Sequence, residues 1–189
     1  MNIVIGLGNP GNTHAGQRHN VGWMALDALA AREAIQFADK KLFSGAVASF
    51  GTQLLLIKPD TFMNNSGLVV KPLLNQYKDA VIAIVYDDID INLGEIKCSF
   101  GRGAGGHNGV QSVIDHLGTK DFFRIRIGVR PVHEELLPRI APPDGFEKFL
   151  LSNFAPFETE LRDKGIDQAI SVIESLPFKT IEEIMNQYN

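Results

Sequence analysis

The hydrophobic positions of this chain alternate between short apolar runs and stretches with helical spacing. Residues 3–7 and 81–86 are apolar runs of strand length, and such runs are typical of strands buried in a parallel sheet. Residues 21–34 repeat apolar side chains at helical spacing, with charged residues between them. Strands that alternate with helices predict an α/β fold, a three-layer sandwich in which helices flank a mixed, twisted sheet.

The remaining elements follow from the same reasoning. Residues 46–50 and 54–57 flank the turn Gly51-Thr52-Gln53, which predicts a β-hairpin. Residues 95–100 are predicted to form an antiparallel edge strand, and residues 123–129 a further strand. The later predicted helices are 66–77, 110–117, 146–151 and 158–176, with a final turn or two over 181–185. No repeat or linker interrupts the pattern, so residues 1–189 are predicted to form one domain.

A proline-rich segment follows the last predicted strand. It contains Pro131, Pro138, Pro142 and Pro143, and proline favours turns and irregular backbone. We predict that residues 131–151 form a mobile loop or lid within the domain.

The composition is that of an ordinary soluble globular protein, with 44% hydrophobic and 21% charged residues. No stretch approaches the roughly 18 consecutive apolar residues of a membrane helix, and the N-terminus lacks the basic region and cleavage motif of a signal peptide. The single cysteine, Cys98, can form neither an intrachain disulfide nor a CxxC metal site. We therefore expect a cytoplasmic protein that does not bind a membrane.

The formal net charge of −4 argues against broad, nonspecific binding to nucleic acid, because such binding needs clustered Lys and Arg to release counterions. A local basic patch remains compatible with this charge. The sign of the charge constrains how a nucleic acid would be held, and not whether one is held.

Three segments place an asparagine beside glycine where apolar runs give way to turns. They are Gly6-Leu7-Gly8-Asn9-Pro10-Gly11, Phe62-Met63-Asn64-Asn65-Ser66-Gly67 and Gly105-Gly106-His107-Asn108-Gly109. Glycine lets a backbone approach a ligand closely, and a primary amide donates and accepts hydrogen bonds without carrying charge. Amides around one imidazole suit a neutral carbonyl substrate, although each asparagine alone is also a common turn residue.

Two glycine-rich loops resemble nucleotide-binding motifs only in part. Gly6-x-Gly8-x-x-Gly11 has the dinucleotide spacing, but Pro10 and a polar loop follow it where a helix should begin. The loop 101–106 lacks the Gly-Lys-Ser/Thr ending of a P-loop. It does precede a predicted helix, so its free N–H groups could hold an anion or orient a carbonyl.

His19 and Asp87 form a candidate catalytic pair. His19 lies just before the first predicted helix, and Asp87 follows the strand 81–86 and should emerge at the carboxyl edge of the sheet, where Asn9 also lies. A carboxylate that bonds one imidazole nitrogen fixes the tautomer, so the other nitrogen can take a proton. No Gly-x-Ser-x-Gly elbow is present, so the nucleophile of a hydrolase would be water.

The acidic run Asp87, Asp88 and Asp90 could instead bind a metal ion. No second acidic or histidine cluster has ligand spacing, so we predict no metal site. The other histidines, His107, His116 and His133, have no partner in the pattern and are interpreted as structural or surface residues.

Together, the asparagine segments, Arg18-His19-Asn20 and Tyr86-Asp87-Asp88-Ile89-Asp90 closely resemble bacterial peptidyl-tRNA hydrolase in sequence, order and spacing. The resemblance extends to 122–128 and 149–152 and so covers most of the chain. It implies a monomeric α/β enzyme without a cofactor. The implied reaction is metal-free hydrolysis of the ester that joins a peptide to the terminal ribose of tRNA.

The resemblance also implies roles for individual residues. His19 would be the general base that activates water, and Asp87 would orient it. Asn9 would contact the substrate near the ester and help to distinguish a blocked peptide from a free aminoacyl group. Asn64 and Asn108 would position the ribose, the peptide backbone or the water. Phe62 would line the pocket beside the 3′ end, and the partner would be the CCA end and acceptor stem of peptidyl-tRNA.

The chain departs from the family pattern at two positions. His14 stands where the family usually has a tyrosine, and Ser99 aligns with a position that is basic in some members. We therefore assign His14 to substrate binding and the phosphate contacts to Lys97, Arg102 and Arg126.

Two other classes of function stay open at this stage. An RNA-binding protein with this fold but without catalysis would have lost His19 or Asp87, and both are present. A small-molecule amidase or esterase would hydrolyse a simple ester without tRNA, and the sparse basic residues are compatible with it.

Overall fold

Seven strands form one mixed sheet with helices on both faces, in a computed structural model that describes residues 1–131 and 145–189. The strands are β1 (Asn2–Gly6), β2 (Ala38–Lys40), β3 (Gly45–Phe50), β4 (Leu54–Pro59), β5 (Val81–Asn92), β6 (Ile96–Phe100) and β7 (Phe123–Arg130). Their order is β2-β3-β4-β1-β5-β7-β6. The central strands β4, β1, β5 and β7 are parallel, and β2, β3 and β6 add antiparallel edges.

Two helical layers enclose this sheet. The helices are α1 (Val21–Arg32), α2 (Val70–Gln76), α3 (Asn108–Leu117), α4 (Gly145–Leu150), α5 (Thr159–Ser175) and α6 (Ile181–Tyr188). The buried side chains of α1, α5 and α6 pack on one face, and those of α2 and α3 pack on the other. On β5, Ala83 and Val85 point to the first layer, and Ile84 and Tyr86 to the second. The run 81–86 is uninterrupted because both faces are covered.

The predicted three-layer α/β fold is confirmed. The hairpin forms from β3 and β4, and β6 is an antiparallel edge strand as expected. The predicted helix 66–77 is divided into a 3₁₀ segment, Met63–Val69, and α2. Pro72 lies in the first turn of α2, where a missing N–H group leaves no intrahelical bond unmade. The short strand β2 is fully exposed, and the hydrophobic pattern did not predict it.

The prediction that Asp87 follows its strand is wrong, because β5 continues to Asn92. In the β1 ladder, Gly6 is paired with Val85 and ends the strand. The β7 ladder continues along β5 and pairs Asp87 with Ile127. Beyond Tyr86, β5 therefore has a neighbour on one side only, and a crevice opens beside Asp87 where β1 has stopped.

Most of the predicted lid, residues 132–144, lies outside the described residues. Its last part, Gly145–Leu150, forms α4. The mobility of residues 131–151 stays a prediction.

None of the described helices has the length and apolar character needed to cross a membrane.

Gly22 allows α1 to approach the ends of β1 and β5. A Cβ atom at this position would lie 2.3 Å from the carbonyl oxygen of Val85 and 2.7 Å from the backbone nitrogen of Leu7. These two backbone groups are hydrogen-bonded to each other at 2.9 Å. The turn that precedes α1 is thus held against the crevice because residue 22 has no side chain.

We expect Gly22→Ala to lower the free energy of unfolding by about 3 kcal/mol, since backbone atoms cannot yield to the added methyl as side chains do. Urea denaturation would measure the loss. Gly103→Ala is the matched control, because a Cβ atom there meets nothing within 4 Å. The control should change stability by about 0.5 kcal/mol or less. Equal losses in both variants would contradict the close approach at Gly22.

Candidate active site

The crevice beside the end of β1 is the mouth of a cleft of about 1050 Å³. Its walls come from the ends of β1 and β5, the glycine loop before α3, and α4. Nine of the ten predicted site residues line it: Asn9, His14, His19, Phe62, Asn64, Asp87, Arg102, Asn108 and Arg126. The structure therefore brings together residues that are far apart in sequence.

His19 and Asp87 are in direct contact. His19 lies in a 3₁₀ turn, Arg18–Asn20, that leads into α1. The N–H group at its Nδ1 donates to Asp87 Oδ1 at 2.8 Å, and both residues are buried. The Nε2 atom makes no hydrogen bond within residues 1–131 and 145–189, so its lone pair is available to a ligand in the cleft. This is the geometry that a general base needs.

The charges around the pair favour protonation of His19 and ionisation of Asp87. Burial by itself lowers the pKa of His19, but the charge and hydrogen bond of Asp87, and the charge of Glu147, outweigh it and raise the pKa above 6.5. Burial likewise raises the pKa of Asp87, but His107 and His19 hold it far below its usual range. Asp87 is therefore a carboxylate at neutral pH.

His107 is a third member of this cluster, which the sequence analysis did not predict. Its Nε2 lies 3.1 Å from the same Asp87 Oδ1 atom. Its Nδ1 accepts a hydrogen bond from the backbone N–H of Val110 at 3.3 Å and so caps the N-terminus of α3. Because Nδ1 accepts, the proton is on Nε2 and is donated to Asp87. The only signal in the sequence was a histidine in the glycine-rich segment that leads into the predicted helix 110–117.

His19, Asp87 and His107 also offer metal ligands, since one ligand atom from each lies within 4.8 Å of the others. In the structure, the hydrogen bonds among these atoms already engage them. A metal ion on His107 Nε2 would require the proton to move to Nδ1, where it would break the cap on α3. The hydrogen-bonded arrangement thus favours proton transfer at this cluster.

Asn9 is fixed by a second asparagine that the sequence analysis did not single out. Asn20 Oδ1 accepts from the backbone nitrogen of Asn9, and Asn20 Nδ2 donates to the carbonyl oxygen of Asn9, both at 2.9 Å. The Asn9 Oδ1 atom accepts from the backbone nitrogen of Met63 at 2.8 Å. These bonds set the orientation of the Asn9 amide, and its Nδ2 group remains to donate to a ligand in the cleft.

The remaining predicted substrate residues surround this centre. Asn64 and Asn108 are exposed at the start of the Met63–Val69 turn and of α3. Phe62 is 62% exposed, and its ring lies 6.4 Å from that of His14 in an edge-to-face arrangement. His14 is itself held by a hydrogen bond between Nδ1 and Gln17 Oε1 at 2.9 Å. Together they present open rings at one side of the cleft.

Of the three predicted phosphate contacts, Arg102 and Arg126 line the cleft and Lys97 does not. Arg126 is paired with Asp88 at 3.0 Å, and Arg102 is exposed on the glycine loop. Lys97, also exposed, is the cross-strand partner of Arg126 on β6. Arg124, which the sequence analysis missed, is buried and donates to the carbonyl oxygens of Arg102 and Gly103. It fixes the loop that leads to His107.

Comparison with known proteins identifies the relatives of this chain. The family model for peptidyl-tRNA hydrolase matches residues 3–189. The chain is 38% identical to the peptidyl-tRNA hydrolase of Halalkalibacterium halodurans over the full length of both proteins. It is 36% identical to that of Bacillus subtilis, over all of this chain and 98% of the relative.

The chain belongs to the peptidyl-tRNA hydrolase family. The crystal structure of the Acinetobacter baumannii family member superposes with a TM-score of 0.84, at 32% identity, over 100% of this chain and 94% of that one. The family and the enzyme class predicted from the sequence are thereby confirmed. In this chain, the His19–Asp87–His107 cluster lies beside the carboxyl end of β1.

We expect the imidazole of His19 to titrate above pH 6.5 in the wild type, because Asp87 stabilises its charged form. In Asp87→Asn the charge is removed and burial remains, so the pKa should fall by about 1 unit or more. Histidine NMR signals followed against pH would measure it. The signals of His116, which lies outside the cluster, provide an internal reference.

The pH dependence of the hydrolysis rate should shift in the same direction as the pKa of His19. Because the base must be neutral, the rate should fall as the pH decreases through the pKa of His19, and Asp87→Asn should move this fall to lower pH. If the rate fell at the same acidic pH in the wild type and in Asp87→Asn, the contact with Asp87 would not be the cause of the raised pKa of His19.

Proposed function

We propose that this chain hydrolyses the ester between the peptide, or an N-blocked aminoacyl group, and the 3′-terminal ribose of peptidyl-tRNA, releasing tRNA for reuse. Membership in the family supports the reaction. The observation that carries the mechanism is the buried His19–Asp87 pair on the cleft, in which His19 Nε2 has no hydrogen-bond partner among the described residues. The intact pair favours catalysis over RNA binding alone.

In the first step, His19 Nε2 takes a proton from water as the water oxygen attacks the ester carbonyl carbon. The imidazolium that forms is stabilised by Asp87, which accepts from Nδ1 at 2.8 Å. Collapse of the tetrahedral intermediate breaks the bond to the ribose oxygen. This oxygen takes the proton back from Nε2 and leaves as a hydroxyl, so one water is consumed and His19 is regenerated.

Asn9 supplies a neutral donor for this reaction. Its Nδ2 group, fixed by Asn20 and Met63, can donate to the carbonyl oxygen or to the peptide group beside it. A preorganised donor stabilises developing negative charge without reorientation during the reaction. Asn64 and Asn108, exposed on the cleft, would hold the ribose, the peptide backbone or the water.

His107 serves Asp87 and not the substrate. Both of its nitrogens are engaged, one by Asp87 and the other by the start of α3. It therefore holds the Asp87 carboxylate in the orientation that meets His19. A proton relay through His107 would require the α3 cap to open.

The tRNA end would bind in the cleft, in contact with its rings and basic residues. Phe62 and His14 provide surfaces on which unpaired bases of the CCA end can stack. Arg102, Arg126 and Lys97 would contact phosphates of the acceptor stem, with Arg126 exchanging Asp88 for a phosphate.

The monomeric state and the cytoplasmic location stay predictions.

His19→Ala should lower the single-turnover rate on an N-acetylaminoacyl-tRNA by about 10²- to 10⁴-fold, because the general base is lost. Binding of the tRNA should change little, which a filter-binding assay would measure. His116→Ala, a histidine bonded within α3, is the control and should keep the wild-type rate. Near wild-type hydrolysis by His19→Ala would overturn the assignment.

His14→Tyr should change KM for the tRNA substrate more than kcat, because His14 contacts Phe62 and not the His19–Asp87 pair. A tyrosine offers a larger ring for stacking. Steady-state kinetics would test this. An unchanged KM would mean that position 14 does not touch the tRNA.

A further inference from the structure

Arg18, the residue before the general base, is buried in an unusual environment. Its Nη2 atom bonds Glu158 Oε2 at 2.5 Å, and both side chains are almost completely inaccessible. The centre of its guanidinium lies 4.3 Å from the ring of Phe149 and 4.8 Å from that of Phe154. We call this group of four residues the Arg18 clamp. The mechanism proposed above does not use it.

The clamp joins the catalytic turn to the segment that follows α4. The backbone nitrogen of Arg18 donates to the carbonyl oxygen of Ser152 at 3.0 Å, and Gln17 forms a β-bridge with Asn153. Glu158 Oε2 also accepts from the backbone nitrogen of Ala155 at 2.7 Å. The turn Arg18–Asn20 is therefore attached to residues 149–158 through backbone and side-chain contacts.

The helix α4 depends on this attachment because it has little stability of its own. It is six residues long and has no fully buried residue, and an isolated helix of fewer than about 12 residues is marginal in water. Phe149, which stacks on Arg18, and Leu150 pack partly against the core. The position of α4 is thus set at its C-terminal end by the clamp.

One side of α4 forms a largely apolar wall of the cleft. Phe146 and Leu150 of α4, and Leu151 directly after it, line the cleft together with Glu147. An apolar wall that carries a carboxylate is unsuited to phosphates and suited to the peptide part of the substrate. The distance between this wall and His19 decides whether a bound peptide places its ester at Nε2.

A buried ion pair is a costly way to join two segments. Arg18 Nε and Nη1 and Glu158 Oε1 are buried without a hydrogen-bond partner in the described part of the chain, and such groups are destabilising. Apolar side chains of similar volume often stabilise the contact between two segments as much as a buried ion pair does, or more. The planar guanidinium–carboxylate pair additionally fixes the relative orientation of the two segments.

We propose that Arg18 is a positioning residue that fixes α4, and with it the peptide-binding wall of the cleft, relative to His19. The proposal rests on the proposed function for its substrate. It predicts that the clamp contributes to the hydrolysis of substrates with a peptide long enough to reach α4. It contributes little to substrates with a single blocked amino acid.

The test compares tRNA that carries an N-acetylated amino acid with tRNA that carries an N-acetylated tetrapeptide. Arg18→Lys keeps the charge and loses the planar stacking, and Glu158→Gln keeps an acceptor for Ala155 and loses the charge. Both variants should lower kcat/KM about tenfold for the tetrapeptidyl substrate, through KM, and less than twofold for the other. Arg32→Lys, in an exposed pair with Glu174, is the matched control and should change neither.

Hydrogen exchange provides a readout that does not depend on activity. The amides of Leu151 and Ser152 are hydrogen-bonded to the carbonyl oxygens of Glu147 and Phe149. In the clamp variants these two amides should exchange at least tenfold faster, with unchanged exchange in β1 and β5. Faster exchange throughout the protein, or an equal loss of kcat/KM on both substrates, would mean that Arg18 stabilises the fold in general, and this would overturn the proposal.

The two proposals fail in different ways. If the wild type hydrolyses neither substrate, the proposed function is wrong, and the exchange measurement still decides whether the clamp anchors α4. If the wild type hydrolyses both and the variants retain the wild-type ratio of kcat/KM, only the positioning role is wrong.

Discussion

One carboxylate oxygen joins the two helical layers at the functional cleft. Asp87 Oδ1 receives His19 from the turn before α1 and His107 from the start of α3, and these helices pack on opposite faces of the sheet. A buried carboxylate needs such partners, because desolvation without them would be severe. The need to satisfy this one group therefore specifies both the geometry of the His19–Asp87 pair and the position of two helices at the end of the sheet.

The space for this arrangement comes from a mismatch in strand length. β1 ends opposite Val85, and β5 continues with β7 alone. Gly22 then lets α1 lie against the ends of these strands, so the imidazole reaches Asp87 without a long loop. The same edge carries Asn9, whose amide is oriented by Asn20 and Met63. Strand ends and backbone groups, more than side-chain packing, thus orient the reacting groups.

The sequence predicted the fold from apolar periodicity, which is local in the chain. It also predicted the meeting of His19 with Asp87, although the strand that ends beside Asp87 is β1 and not β5. It missed His107, since its partner Asp87 comes from another element and its cap on α3 looks like an ordinary turn. It missed the bond between Arg18 and Glu158 for a stronger reason: these residues are 140 positions apart. No spacing rule relates them, and a buried arginine is exceptional in composition-based reasoning.

The distribution of charge explains how an acidic protein can bind a polyanion at this cleft. Its buried cations already have partners: Arg18 has Glu158, and Arg124 has backbone carbonyl oxygens. Of the cations proposed to contact phosphates, Arg102 and Lys97 are exposed, and Arg126 is paired with Asp88. Few phosphates can then be neutralised, so electrostatic attraction contributes a small share of the affinity. The proposed recognition then depends mainly on the neutral amides and open rings of the cleft, which would select tRNA by what is attached to its end.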